Sequence, residues 1–325
     1  MELHTLGRTG VQVSTLCFGT MSFGGTADEA ESARMFARCL DAGINFFDTA
    51  DVYAESRSET ILGSLMKGHR ESLVIASKGF GRTSDDPNDR GLSRRHLTRA
   101  VEASLKRLQT DRLDVYYEHH FDPLTPIDEA VRVLDHLVQR GMVLYPAVSN
   151  WAAWQIEKAL GVSAREHLAR FEVVQPMYSL AKRQVEVEIL PMAQAEQLAV
   201  VPFSPLGGGL LTGKYGVGRV PESGRLVEDS TYVKRYGGDQ YLQVADAVTG
   251  YARDHGVHPA TLAVAWVRTH PGVTAPIIGA RNVEQLEPSL AAADFDMSPE
   301  MRAELTALTP ALPPANDRTE QTAAR

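Results

Sequence analysis

A chain of 325 residues, 43% of them hydrophobic, can bury a substantial core, and an α/β barrel commonly fills this length as one domain. The formal charge of -8 and pI near 5.7 supply no basic face, so nucleic acid and an anionic membrane are not expected partners and a small-molecule site is. Cys17 and Cys39 are too few for a disulfide framework, the acidic start is followed by no signal-like apolar segment, and no run approaches the roughly 18 apolar residues of a membrane helix, so the reducing cytoplasm is the expected location.

Leu6 to Val13 reads as a short hairpin with Gly10 near its turn, placed to cap a barrel bottom, ahead of a first core strand at 16–21. Met35, Phe36 and Leu40 fall at helical spacing within 27–42, and Gly43 stops that helix. A strand at 45–49 follows, then helix 58–67, strand 73–78, helix 94–108, strand 113–119, helix 127–139 and strand 144–150. The second half gives a helix from 154 to 160 and beyond, strand 171–176, helix 185–197, strand 199–204, helix 259–269, strand 274–279 and helix 283–292. Eight strand–helix units with short polar connections predict a parallel sheet closed into a (β/α)8 TIM barrel, a single domain over 1–310. Residues 206–238 break the rhythm with a long connection after strand seven, and 241–255 adds a helix. A helix at 299–308 follows, and 311–325 reads as a mobile tail.

Side chains alternate along a strand, so Phe46 and Asp48 share a face, as do Ala76 and Lys78, and Tyr117 and His119. In neighbouring parallel strands about 5 Å apart, Asp48, Lys78 and His119 converge at the C-terminal ends, where barrel enzymes place catalysis, beside Tyr53. A carboxylate on a buried strand needs a cation, which Lys78 supplies. The Lys78 ammonium in turn favours a Tyr53 phenolate and lowers the pKa of that phenol. His119 and His120 are adjacent, and on an extended strand they point to opposite sides, so the role falls to His119 alone. No Cys or His spacing supports a metal site. The run 208–215 misses a phosphate-binding GxxxxGK[ST] loop only at Tyr215 but opens no helix, which excludes ATP there. No GxGxxG follows the first strand, so a dinucleotide would lie across the barrel mouth rather than in a Rossmann domain.

Five ordered motifs, GINFFDTADVY at 43–53, ASK at 76–78, VSNW at 148–151, FSPL at 203–206 and PIIGAR at 276–281, resemble the aldo-keto reductase family from about 6 to 292. The resemblance implies a catalytic tetrad of Asp48, Tyr53, Lys78 and His119 and reversible hydride transfer between an NADP(H) cofactor, preferred over NAD(H), and an aldehyde, ketone or alcohol. It assigns Ser149, Asn150 and Gln175 to the nicotinamide carboxamide and Phe203 to its ring face. Ser204, Leu206, Gly209 and Lys214 would follow the pyrophosphate, and Gly279, Arg281 and Gln285 the adenosine 2'-phosphate. Phe23, Val52, His120, Trp151 and Tyr178, together with the catalytic Tyr53, are the substrate-pocket candidates from their strand-end positions. Voltage-gated channel β subunits also look like this family, so a cofactor-sensing regulatory subunit with little turnover is the alternative. The oligomeric state stays open, a monomer being compatible with the sequence.

Overall fold

Period-two alternation sorts the side chains of this sheet into two apolar layers, one inside the barrel and one beneath the helices. The computed structural model describes residues 1–316; of the tail expected at 311–325, residues 317–325 lie outside the described residues. Strands β1 (Leu3–Thr5) and β2 (Gln12–Ser14) pair antiparallel as the expected hairpin. Eight parallel strands follow: β3 (Cys17–Gly19), β4 (Phe46–Asp48), β5 (Val74–Gly79), β6 (Leu113–Glu118), β7 (Val143–Ser149), β8 (Val173–Gln175), β9 (Ala199–Val200) and β10 (Ile277–Ile278). They pair in chain order from β3 to β9, with β10 beside β3. The amides of Thr274 and Ile277 donate to the carbonyls of Val200 and Pro202 at 2.8 Å each, which joins the last strand to β9 and closes the (β/α)8 barrel.

Cys17, Phe46, Ala76, Val115, Tyr117, Ala147, Val173 and Val201 fill the interior together with Leu6 and Val13, which the hairpin pushes up from below. Gly7 lets it sit that close: its φ is +55°, and a Cβ there would lie 2.9 Å from the Ala199 nitrogen. The alternate residues Phe18, Phe47, Ile75, Tyr116, Val148 and Val174 face outward into the larger core beneath the helices. Each such residue removed from water contributes about 1.5–3 kcal/mol.

That outer layer is α1 (Glu29–Asp41), α2 (Arg57–Leu65), α3 (Arg94–Leu108), α4 (Ile127–Gln139), α5 (Ala153–Glu166), α6 (Ile189–Ala195), α7 (Arg225–Glu228), α8 (Ser230–Tyr236), α9 (Asp239–Asp254), α10 (Pro259–Arg268), α11 (Val283–Leu290) and α12 (Pro299–Ala307). Side-chain caps start several of them: Asp28 accepts from the Glu31 amide, Ser93 from His96 and Asn282 from Gln285. The helix expected at 185–197 divides into a 3-10 turn at Gln184–Glu186 and α6. Pro191 has no amide proton, which an interior turn would need but a first turn does not, so the helix restarts just ahead of it. The prolines at 202 and 276 likewise cut β9 and β10 to two residues each. The connection at 206–238 is not bare loop: it holds a 3-10 segment, Gly207–Thr212, and then α7 and α8. No helix among the described residues is long and apolar enough to cross a membrane.

Candidate active site

Strand register sets the site. Asp48 on β4 and Lys78 on β5 share the interior face with Phe46 and Ala76, but at the C-terminal edge, where the packed layers end. Both are buried, at 2% and 0% exposure. Lys78 Nζ donates to Asp48 Oδ1, to the Thr49 carbonyl at 2.7 Å and to Tyr53 Oη at 3.4 Å. The Tyr53 and His119 rings meet edge to face with centroids 6.0 Å apart. The four residues that the sequence brought to one volume are therefore together.

The loop that presents Tyr53 is held in an uncommon conformation. Ala54, Glu55 and Ser56 follow it with φ of 49°, 56° and 69°, a left-handed run without glycine that costs roughly 1–2 kcal/mol per residue. Ser56 Oγ offsets part of that cost by donating to the Asp51 carbonyl at 2.7 Å.

Electrostatics assign protonation states. Burial opposes charge on both partners and pushes the Asp48 carboxyl up against the pull of Lys78 and Gln175, yet Asp48 and Tyr53 hold the Lys78 ammonium above its usual pKa, so Lys78 is charged. Burial raises the Tyr53 phenol, and Lys78 pulls against it without prevailing, so the net shift is upward rather than downward as the sequence led us to expect. The lysine sits at the edge of hydrogen-bond reach, while desolvation acts on the whole half-buried ring. Tyr53 is thus a neutral donor at pH 7. Burial, with Lys78 behind it, pushes His119 well below its usual value, leaving a neutral imidazole.

The two histidines do not diverge. Because β6 ends at Glu118, strand alternation no longer governs the residues after it; the rings of His119 and His120 stack at 5.0 Å with 19° between planes, and both border the cleft.

That cleft, about 580 Å³, runs across the C-terminal face from Tyr53 to α11. All eleven residues expected to hold a cofactor border it. Ser149 Oγ donates to the Gln175 carbonyl at 2.9 Å, and Asn150 Nδ2 donates to the His119 carbonyl and to Ser149 Oγ at 3.0 Å each. Gln175 Nε2 donates to Asp48 Oδ2 at 2.9 Å. At the far end, partial burial and then the charges of Arg281 and Arg225 hold the Lys214 ammonium below its usual value, the mark of three cations crowded together. Arg281 also meets Glu228 at 3.4 Å. Between the poles, Gly209 sits at φ +102° with no atom nearer than 3.8 Å to where a Cβ would be, an open backbone cradle. A long anionic dinucleotide fits these features: amides and hydroxyls at one end, bare backbone at the middle, cations at the other.

Of the five added pocket candidates, His120 borders the cleft. Phe23 is buried in the outer core against Phe18, and Val52 packs beside Gly81. Trp151 is wedged between Phe121 and Phe171 and borders a separate cavity of about 210 Å³ behind β7 and β8. Tyr178 is buried, its hydroxyl donating to Glu186 at 2.7 Å. Instead Met21, Arg225, Tyr232 and Arg235 complete the wall. The last three come from the 206–238 connection, whose length was visible in the sequence but whose fold was not.

Fold and site together define a (β/α)8 barrel whose buried Asp–Lys pair supports a half-buried Tyr and His at the floor of a cleft shaped for an extended ligand. The profile of the Aldo/keto reductase family matches residues 15–310, and the chain belongs to that family. Among its relatives, "Probable voltage-gated potassium channel subunit beta" of Oryza sativa subsp. japonica is 38% identical over 300 residues, covering 90% of this chain and 92% of the relative. "Uncharacterized oxidoreductase YrpG" of Bacillus subtilis (strain 168) is 38% identical over 321 residues, 95% and 96% of the two chains. "Protein tas" of Escherichia coli (strain K12) is 33% identical over 338 residues, 95% and 97%. Family membership supports an oxidoreductase.

Proposed function

We propose that this protein is an NADP(H)-dependent oxidoreductase that reduces an aldehyde or ketone to an alcohol, reversibly, with Tyr53 as general acid and base. The observation that carries this reading is the Tyr53 hydroxyl, 3.4 Å from a buried ammonium that is itself locked by Asp48, at the floor of the cleft. The family generally binds NADP(H), and Lys214, Arg225 and Arg281 provide the charge that a 2'-phosphate requires. Ser149, Asn150 and Gln175 would orient the nicotinamide, with Phe203 against its face.

Hydride for the carbonyl carbon is what the reduced cofactor supplies when bound. Tyr53 gives its proton to the carbonyl oxygen as the C=O π pair moves onto that oxygen. Lys78 stabilises the phenolate left behind, and Asp48 keeps Lys78 charged and aimed. His119, neutral, donates a ring N–H to the same oxygen and fixes the carbonyl's orientation. Solvent then returns a proton to Tyr53. Cytoplasmic location belongs to the same proposal, Cys17 and Cys39 being buried and free.

Oxidation of NADPH followed at its absorbance band against a panel of aldehydes, quinones, sugars and ketones tests the reading; turnover of none of them opposes it. The second reading, a cofactor-sensing subunit, draws on the 38% identity to the Oryza sativa relative named as a probable channel β subunit. Tight NADPH binding without turnover across the panel would favour it.

A further inference from the structure

The positive charge of the cleft extends beyond the cations that a cofactor accounts for. Lys214, Arg225 and Arg281 crowd together at the α11 end. Arg235 lies on α8, where its charge acts on His120 and on Tyr236, and it shares the Tyr232 ring with Arg225, whose guanidinium is 4.9 Å from the centroid. Tyr232, one turn earlier on the same helix, comes within electrostatic range of Tyr53. Its ring also lies on Gly208, where a Cβ would be 2.5 Å from Tyr232 Cδ1, so glycine at φ +69° lets α8 press down over the mouth. The helix is a strap across the reacting end.

We propose that Arg235 is the substrate-recognising cation and that the natural substrates are small carbonyl compounds bearing a carboxylate. The inference rests on the reductase reading and narrows its substrate class. The wall at this end is Met21, Ser22, Tyr53, His120, Tyr232 and Arg235. Partial desolvation at the cleft wall and then the charge of Arg235 hold His120 below its usual pKa, so it is neutral at pH 7. Asp48 is neutralised by Lys78 beneath the surface. Arg235 is then a fixed positive charge facing a substrate here. Of the other cations, Arg219 pairs with Asp246 at 2.9 Å and Arg281 with Glu228 at 3.4 Å, while Arg225 stacks on the Tyr232 ring beside Arg235. Among the described residues no carboxylate pairs with Arg235; its guanidinium leans on the Tyr232 ring, 5.2 Å from the centroid. Stacking of that kind fixes the plane of the fork and leaves its N–H edge available for two parallel hydrogen bonds.

The test compares 4-carboxybenzaldehyde with its neutral methyl ester and with benzaldehyde, in the full-length protein and in Arg235→Ala and Arg235→Lys. The carboxylate should be preferred by about tenfold or more in kcat/KM, chiefly through KM. That ratio should fall toward one in Arg235→Ala, and Arg235→Lys should restore part of it, which guards against a merely misfolded variant. A ratio near one in the unmodified protein, or one unchanged in Arg235→Ala while neutral aldehydes turn over, overturns the substrate class and leaves the reductase reading standing. Calorimetric titration of benzoate, with and without NADP+, separates the remaining cases. Arg235-dependent benzoate binding without turnover of any aldehyde supports the anion site and sinks the reductase reading. Neither turnover nor Arg235-dependent binding overturns both.

Discussion

Gln175 Nε2 donates to Asp48 Oδ2 at 2.9 Å, so the buried carboxylate is held on both oxygens, by Lys78 on one and by Gln175 on the other. A residue at the end of β8, expected only to face a cofactor, thereby also stabilises the ion pair beneath it. Gln175→Met should weaken cofactor binding and in addition cost about 1–3 kcal/mol of stability, the penalty for a buried acceptor left unmade. Urea unfolding of the cofactor-free protein measures the second part; a variant as stable as the original would show that the Gln175 bond contributes nothing.

The same geometry makes Asp48 and Lys78 non-additive. Removing either partner alone strands a buried charge, at about 3–5 kcal/mol, whereas removing both strands none. Asp48→Asn combined with Lys78→Met should therefore destabilise by clearly less than the two single losses summed. Additive losses in unfolding free energy would mean that the side chains do not meet in solution.

Tyr53→Phe keeps the ring, its edge contact with His119 and the left-handed loop behind it, and removes the proton donor. Turnover should fall by at least about 100-fold, the scale of general acid catalysis, with NADPH affinity changed little. Stopped-flow rates and fluorescence titration of the same preparation check both halves. Undiminished turnover would remove Tyr53 from the mechanism.

What the sequence made legible follows from which rules hold where. Asp48 and Lys78 could be placed because they lie within strands, where alternation with Phe46 and Ala76 is rigid. The same rule failed two residues later on the next strand, since β6 stops at Glu118 and nothing in the pair His119–His120 announces that stop. Phe23, Trp151 and Tyr178 sit where pocket residues could sit, yet each turns into the core beneath the helices, a choice made by the aromatic partners Phe18, Phe171 and Trp266 rather than by strand-end position. Arg225, Tyr232 and Arg235 were unreadable for the opposite reason. Their connection has no period to read, and its short helices are set by contacts such as Tyr232 on Gly208.

Cofactor choice should reside in Arg281 and its neighbours. Arg281→Ala should lower NADPH affinity by roughly 10- to 100-fold, the range of a lost charge-assisted phosphate contact, and NADH affinity far less. Freed Glu228 would add repulsion toward the phosphate. Equal losses for both cofactors would show that Arg281 does not read the 2'-phosphate, and a preference for NADH in the unmodified protein would overturn the NADP(H) assignment itself.

Asp51 gives the site a pH-dependent weakness. Its carboxylate is fully buried behind the Tyr53 loop, neither oxygen makes a full hydrogen bond, and Glu59 lies close by. Burial, reinforced by Glu59, raises its pKa to about 7. An unfolded aspartate titrates near 3.9. Between those values the folded state holds a proton that the unfolded state has released, so stability falls as pH rises through the window and the loss is complete above it. Asp51→Asn removes the titration. It should stabilise the protein at pH 8 by an amount on the order of 1–4 kcal/mol, with roughly a third of the gain left at pH 5 and almost none near pH 3, where the aspartate is neutral in both states. Unfolding free energies at pH 5 and pH 8 decide the matter. A gain of the same size at both pH values would mean that the amide improves packing rather than relieving a buried charge, and a loss at pH 8 would mean that the Asp51 carboxylate is ionised and partnered in solution.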